Sequence, residues 1–127
     1  MVDPHRKAIP IAGDGGFQTK VQEMETARRL NSDIVVMVWE DHGYGLIEWE
    51  QENTYGKHPD LSFGNSKWDM LVESFGWNYD YVDQSAELLS AIKNVLNTSE
   101  PSLIVVPIDY RENDILTRRL GEITMGL

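Results

Sequence analysis

Apolar positions fall in blocks whose period changes along the chain. Ile9-Pro10-Ile11-Ala12 is a short apolar run that closes in Gly13-Asp14-Gly15-Gly16, and Ile34-Val35-Val36-Met37-Val38-Trp39 is a longer one that closes in Glu40-Asp41-His42-Gly43-Tyr44-Gly45. A continuous apolar run ended by an acidic, glycine-bearing loop is the pattern of a strand buried on both faces of a parallel sheet. Between the two, Val21, Met24, Ala27 and Leu30 recur every three residues, close enough to helical spacing to predict one apolar face on a helix over residues 19–30. The predicted unit is strand, helix, strand with a right-handed connection, so the loops after both strands emerge at the same carboxyl edge. The first strand, over residues 8–12, contains Pro10, which cannot donate to a ladder. An edge or near-end position is therefore expected for it.

Further along, Leu46, Ile47 and Trp49 among glutamates predict a short helix over residues 44–52, and Gly56, Pro59 and Gly64 predict an irregular loop over residues 53–65. Trp68, Leu71, Val72 and Phe75 share one face of a helix over residues 67–75, which Gly76 ends as a C-cap. In residues 77–82, Trp77, Tyr79 and Tyr81 alternate with Asn78 and Asp80, as in a half-buried strand. Asp83 or Ser85 then caps a helix with a stripe of Leu88, Leu89, Ile92, Val95 and Leu96. A last strand over residues 102–108, a loop over 109–113 and a final helix over 115–123 complete the pattern, after a polar lead-in over residues 1–7. The fold class expected is α/β: a single three-layer α/β/α domain with a mainly parallel sheet.

Composition narrows the function classes. A chain of 127 residues with 41% hydrophobic residues and four tryptophans suffices for the core of one domain. The net charge of −10 argues against nucleic acid and anionic membrane surfaces as partners, both of which require clustered Lys and Arg. With no cysteine, disulfides and thiolate chemistry are excluded. No apolar run reaches membrane-spanning length and residues 1–7 lack a signal-peptide core, so a cytoplasmic protein is expected.

The candidate chemistry sits in the two acidic loops. Glycines around Asp14 allow close backbone approach, so amides can face an anion while the carboxylate faces a cation. Taken alone, Gly-Asp-Gly is an ordinary turn; the second acidic loop, brought to the same sheet edge, makes it a candidate site. Asp14 and Asp41 with a glycine carbonyl are hard oxygen ligands, suited to Mg²⁺ carrying a phosphate and waters rather than to zinc. Such a metal would also offset the repulsion between an acidic protein and a diphosphate. His42 is expected to contribute no ligand. Glu48, Glu50 and Glu52 read as a solvated face, and His58 as exposed. Other doubly wound domains fit less well: Gln18 replaces the third glycine of a dinucleotide fingerprint, and Ile108-Asp109 stands where a phosphoacceptor receiver has a lysine.

Gly13-Asp14-Gly15, followed 27 positions after Asp14 by Asp41 and then Gly43-Tyr44, resembles the thiamine-diphosphate motif, which opens Gly-Asp-Gly and closes at paired asparagines or a close variant. Glu40-Asp41 departs from the asparagine pair, and Trp39-Glu40-Asp41 is similar to the version found in the acetolactate synthase group. Val21-Gln22-Glu23-Met24-Glu25-Thr26-Ala27, Phe63-Gly64-Asn65, Glu73-Ser74-Phe75-Gly76 and Val106-Pro107-Ile108-Asp109-Tyr110-Arg111-Glu112-Asn113 resemble the same group. The resemblance implies the C-terminal thiamine-diphosphate-binding domain of a three-domain acetolactate synthase-like enzyme, of which this chain is a fragment or whose other domains lie on another chain. It implies Asp14, Asp41 and the Gly43 carbonyl as Mg²⁺ ligands, the Gly15 and Gly16 amides at the phosphates, Gly13 in the same turn, and Tyr44 and Gly45 near the thiazolium side. The chemistry implied is decarboxylation of pyruvate and attachment of the two-carbon unit to a second 2-oxo acid. The carboxylate that activates the cofactor's aminopyrimidine is implied to come from the pyrimidine-binding domain of a partner subunit in a homo-oligomer, so this chain alone is expected to carry no catalytic residue. Another thiamine-diphosphate decarboxylase or carboligase, or a non-catalytic remnant, is the alternative.

Overall fold

A computed structural model describes residues 6–109. The element order is β1 (Ile11–Gly13), α1 (Asp14–Gln18), α2 (Glu23–Arg29), β2 (Val35–Glu40), α3 (Gly45–Tyr55), α4 (Trp68–Phe75), β3 (Asn78–Tyr81), a 3₁₀ turn (Ser85–Glu87), α5 (Leu88–Leu96) and β4 (Ser102–Pro107). Among the described residues the strands form one parallel sheet in the order β1-β2-β4-β3, with Ile11 opposite Met37, Met37 opposite Ile104 and Asp80 opposite Ile104. Residues 1–5, Tyr110-Arg111-Glu112-Asn113 and the helix expected over residues 115–123 lie outside the described residues.

The three-layer expectation holds because each face of the sheet buries its own cluster. Val38, Leu103 and Val105 pack on Phe17, Met24, Trp68, Val72 and Trp77 from the α1, α2 and α4 side, whereas Val35, Ile104 and Val82 pack on Ala91 and Val95 of α5. The central strands β2 and β4 carry the apolar residues with no exposure at all: Val35, Val38, Leu103, Ile104 and Val105. Burying one such side chain removes enough apolar surface to contribute about 1.5–3 kcal/mol.

Local departures from the sequence pattern have physical reasons. Pro10 shortens the first strand: Ala8 makes only an isolated bridge to Ile34, and the Pro10 carbonyl accepts from Met37 N (2.9 Å) while β1 lies at the end of the strand order. The helix expected over residues 19–30 is two helices joined by a tighter turn, in which Glu23 N donates to Lys20 O and Met24 N to Val21 O. A strict three-residue spacing falls behind a 3.6-residue helix by about 60° per step, so it leaves the core face within a few turns. Met24 is accordingly buried and Leu30 is 63% exposed. On α5 the same geometry selects Ala91 and Val95 for burial and leaves Leu89 and Leu96 exposed. Neither Asp83 nor Ser85 caps that helix: Ser85 lies within the 3₁₀ turn and Glu87 occupies the N-cap position.

The strand expected over residues 77–82 is Asn78–Tyr81, and it inverts its anticipated faces. Trp77 is buried, but Tyr79 and Tyr81 are the more exposed positions because β3 ends the sheet order, where the layer thins. Burial and the carboxylates of Asp69 and Glu40 push the Tyr79 phenol up to about 12. Gly56 and Gly76 close α3 and α4 in the left-handed region at φ 65° and 67°, the conformation a helix C-cap demands.

Candidate functional site

Parallel pairing of β1 with β2 puts Asp14 and Asp41 at one sheet edge, each at the first turn beyond its strand. Asp14 is 1% exposed. Its Oδ1 accepts from Gly15 N (2.8 Å), and its Oδ2 accepts from His42 N (2.9 Å), Asp41 N (3.3 Å) and Asn65 Nδ2 (2.8 Å). Asp14 therefore stitches the first acidic loop to the second. Asp41 Oδ2 accepts from Gly45 N (3.1 Å), which fixes the start of α3.

The two carboxyl groups are driven apart electrostatically. Burial pushes Asp14 up, but the hydrogen bonds from Asn65, Gly15 and His42, with a smaller one from Asp41, outweigh it and hold the group below the usual carboxylate range. Asp41 is raised, first by burial and then by the hydrogen bond and charge of Asp14, which the amides of Gly45 and Gly43 offset only in part. Close carboxylates of this kind favour a cation between them.

All eight residues singled out from the sequence line one cavity of about 270 Å³: Gly13, Asp14, Gly15, Gly16, Asp41, Gly43, Tyr44 and Gly45, joined by Leu46 and Ile47. A Cβ on Gly13 or Gly16 would meet no protein atom within 4 Å, so both glycines border open space. A Cβ on Gly15 would lie 2.9 Å from Tyr44 Cε1 and 3.1 Å from Phe63 Cζ, so that glycine is required by the aromatic pair beneath it. The Gly15 amide is turned to Asp14 Oδ1 rather than to the cavity. Of the two amides assigned to phosphate, Gly16 remains the better placed, since the first N–H groups of a helix have no partner within it.

Among the described residues no group of three or more His, Cys, Asp and Glu side chains is placed to hold a metal ion. Two carboxylates and one carbonyl would leave half of an octahedral sphere to waters and phosphate oxygens, which is how Mg²⁺ is usually held. The donor set and the open floor at Gly13 and Gly16 thus fit a magnesium diphosphate.

His42 takes part through its backbone; its side chain is 64% exposed, and its φ of 60° places the next amides in the turn. Glu48, read as a solvated residue, instead accepts from Leu61 N (2.7 Å), and His58 lies 3.9 Å from it. Together with an antiparallel bridge between Gly43 and Ser62 and a bond from Phe63 N to His42 O (2.8 Å), this laces residues 61–63 to the second acidic loop. Sequence reasoning assigned no role to Asn65, Gln18, Phe63 or Glu40 at the site. Phe63-Gly64-Asn65 stood out only as a family-like segment, because no periodicity reports that an irregular loop folds back onto a distant turn.

Comparison with known proteins places this geometry. The family described as "Thiamine pyrophosphate enzyme, C-terminal TPP binding domain" matches residues 1–106. The acetolactate synthase of Bacillus subtilis is 34% identical over 128 residues, covering 97% of this chain and 22% of the relative. The catabolic acetolactate synthase of Raoultella terrigena is 30% identical over 120 residues, covering 94% of this chain and 22% of that protein. The crystal structure of benzoylformate decarboxylase from Polynucleobacter necessarius superposes with a TM-score of 0.74 at 26% identity, over 82% of this chain and 20% of that one. The chain thus spans about a fifth of the length of the proteins it matches.

Proposed function

The chain belongs to the family of C-terminal TPP-binding domains of thiamine pyrophosphate enzymes, and from that premise we propose that it holds thiamine diphosphate through Mg²⁺ as the C-terminal domain of an acetolactate synthase-like enzyme. The observation that carries the reading is the convergence of Asp14 and Asp41 on one glycine-floored cavity at the carboxyl edge of β1 and β2. Asp14 and Asp41 give carboxylate oxygens to the metal and Gly43 its carbonyl. Asp14 Oδ1, which serves one amide donor, is the oxygen free to turn to the cation, whereas Oδ2 already serves three donors. Gly16 presents its amide to the phosphates, and Tyr44 and Gly45 flank the thiazolium side. When bound, the cofactor supplies the carbanion chemistry that decarboxylates a 2-oxo acid and passes on the remaining carbon unit.

Pyruvate and a second 2-oxo acid are the substrates of this reading, which rests on the acetolactate synthase relatives. The rest of a three-domain enzyme, including a pyrimidine-binding domain from a partner subunit of a homo-oligomer, completes the site. The 127-residue chain by itself binds the cofactor weakly and does not turn over. A different thiamine-diphosphate decarboxylase is the second reading, favoured by the likeness to a benzoylformate decarboxylase structure; the product made from pyruvate by the enzyme containing this domain separates the two.

Calorimetric titration with thiamine diphosphate, with and without Mg²⁺, tests the site. Binding is expected only with the metal, and is expected to vanish in the Asp14→Ala, Asp41→Ala double variant. Metal-independent binding, or binding that survives the double substitution, would overturn the proposal, and acetolactate formation by the purified chain would overturn its inactivity.

A further inference from the structure

One buried carboxylate beside the site is no proposed metal ligand and, among the described residues, forms no ion pair with Lys or Arg. Glu40 is 5% exposed at the end of β2, one residue before Asp41. Its Oε1 accepts from Trp68 Nε1 (2.6 Å) and Asn65 Nδ2 (2.8 Å), and its Oε2 lies 3.4 Å from Tyr81 OH and 3.8 Å from His42 Nε2. Burying a carboxylate is costly, and hydrogen bonds to its lone pairs make it tolerable.

Asn65 reaches both Glu40 and the proposed site. Its Nδ2 donates to Glu40 Oε1 and to Asp14 Oδ2, each at 2.8 Å, and its Oδ1 accepts from Gln18 Nε2 (2.7 Å). An amide nitrogen has two hydrogens, and both are used on carboxylates. His42 Nδ1 lies 3.2 Å from the same nitrogen, and the reverse orientation would point a carbonyl at two carboxylates, so one orientation alone satisfies both.

We propose that Glu40 and Asn65 are positioning residues for the magnesium diphosphate site: Glu40, anchored by Trp68, holds the Asn65 amide, which in turn engages Asp14 Oδ2 and leaves Oδ1 directed to the cation. Glu40 acts through Asn65 and touches neither metal nor cofactor. The inference rests on the function proposed above. It explains what the glutamate in place of the motif's first asparagine does, since a carboxylate can only accept and so dictates which way Asn65 faces, whereas a second amide could pair in either sense.

The test is a Mg²⁺ titration of the 127-residue chain at fixed thiamine diphosphate, read by calorimetry, with thermal unfolding of each metal-free variant as the control for folding. Loss of one charge-assisted hydrogen bond predicts roughly a tenfold rise in the Mg²⁺ concentration needed by Asn65→Ala, and a smaller rise in Glu40→Gln, which keeps one acceptor oxygen. Because Glu40 acts through Asn65, the double variant is expected to be no weaker than Asn65→Ala alone. Additive losses, or an unchanged Mg²⁺ requirement in both single variants, would overturn the inference while leaving the function intact. If Asn65→Ala fails to fold, Asn65→Ser and Glu40→Gln carry the same comparison. Absence of Mg²⁺-dependent binding in the unsubstituted chain would instead overturn the function, and this inference with it.

Discussion

The middle of the sheet and Asp14 at its carboxyl edge are about equally buried and built on opposite principles. In β2 and β4, Val35, Val38, Leu103, Ile104 and Val105 have no exposure and hold their places by contact with other apolar side chains. Less than one strand length away, Asp14 is 1% exposed and holds its place by four hydrogen bonds to oxygens that would otherwise be stranded. Apolar packing is non-directional, so it tolerates some rearrangement. A buried carboxylate tolerates little, because each lost donor leaves a desolvated oxygen. The region that is costly to build is thereby the one whose geometry is narrowly defined, as a binding site requires. Among the described residues no buried side-chain nitrogen or oxygen lacks a partner.

Substitutions that act on only one of the two regions sharpen the contrast. Leu103→Ala is expected to have the largest effect on stability, about 2–5 kcal/mol from lost burial and a cavity, measured by denaturant unfolding. Gly15→Ala comes next: its Cβ would press on Tyr44 and Phe63, and overpacking of this kind costs about 1–3 kcal/mol. Its unfolding midpoint should fall, and Mg²⁺-dependent cofactor binding should weaken with it because Tyr44 borders the cavity.

Asp41→Ala should cost only about 1 kcal/mol, since the amides of Gly45 and Gly43 lose their acceptor while Asp14 is relieved of a neighbouring charge, yet it should abolish Mg²⁺-dependent binding in a calorimetric titration. Equal losses in folding and binding would erase the distinction between the two regions. Gly16→Ala is the mildest to the fold and the most telling. No protein atom lies within 4 Å of the added methyl, and alanine in place of a helical glycine stabilises by about 0.5–1 kcal/mol. The melting temperature should hold or rise slightly while cofactor binding falls. A variant that binds as well as the parent would show that the open space at Gly16 is not where the diphosphate lies.

β2 and β4 were legible because a buried parallel strand writes itself as an uninterrupted apolar run, and the acidic loops because Gly-Asp-Gly and Glu-Asp-His-Gly punctuate such runs; β1 reads the same way, but at the end of the strand order its Ile11 is 55% exposed rather than buried on both faces. Helix faces were legible only where several apolar residues kept the 3.6 period, as in α4, where Trp68 and Val72 are buried as expected. They were misread where the spacing was three, at Leu30, and where leucines flank a stripe, at Leu89 and Leu96. Tyr79 and Tyr81 alternate with Asn78 and Asp80 as expected but are the more exposed of the two sets at the end of the strand order, so alternation alone did not say which face is covered.

By itself the sequence determined the class of fold and picked out the two acidic, glycine-bearing loops whose Asp14, Asp41 and Gly43 line one cavity, since local pattern and residue type mark such loops. Tertiary structure alone decided that Asn65 joins Asp14 to Glu40, that Glu48 ties down residue 61, and that Gly15 serves the aromatic pair while Gly16 faces open space. Those hydrogen bonds span 13 to 51 residues along the chain. Their physical cause is the need of buried polar groups for partners, and any suitable donor that the fold brings close can meet it. Periodicity reports which way a side chain faces, but not which distant loop comes to meet it.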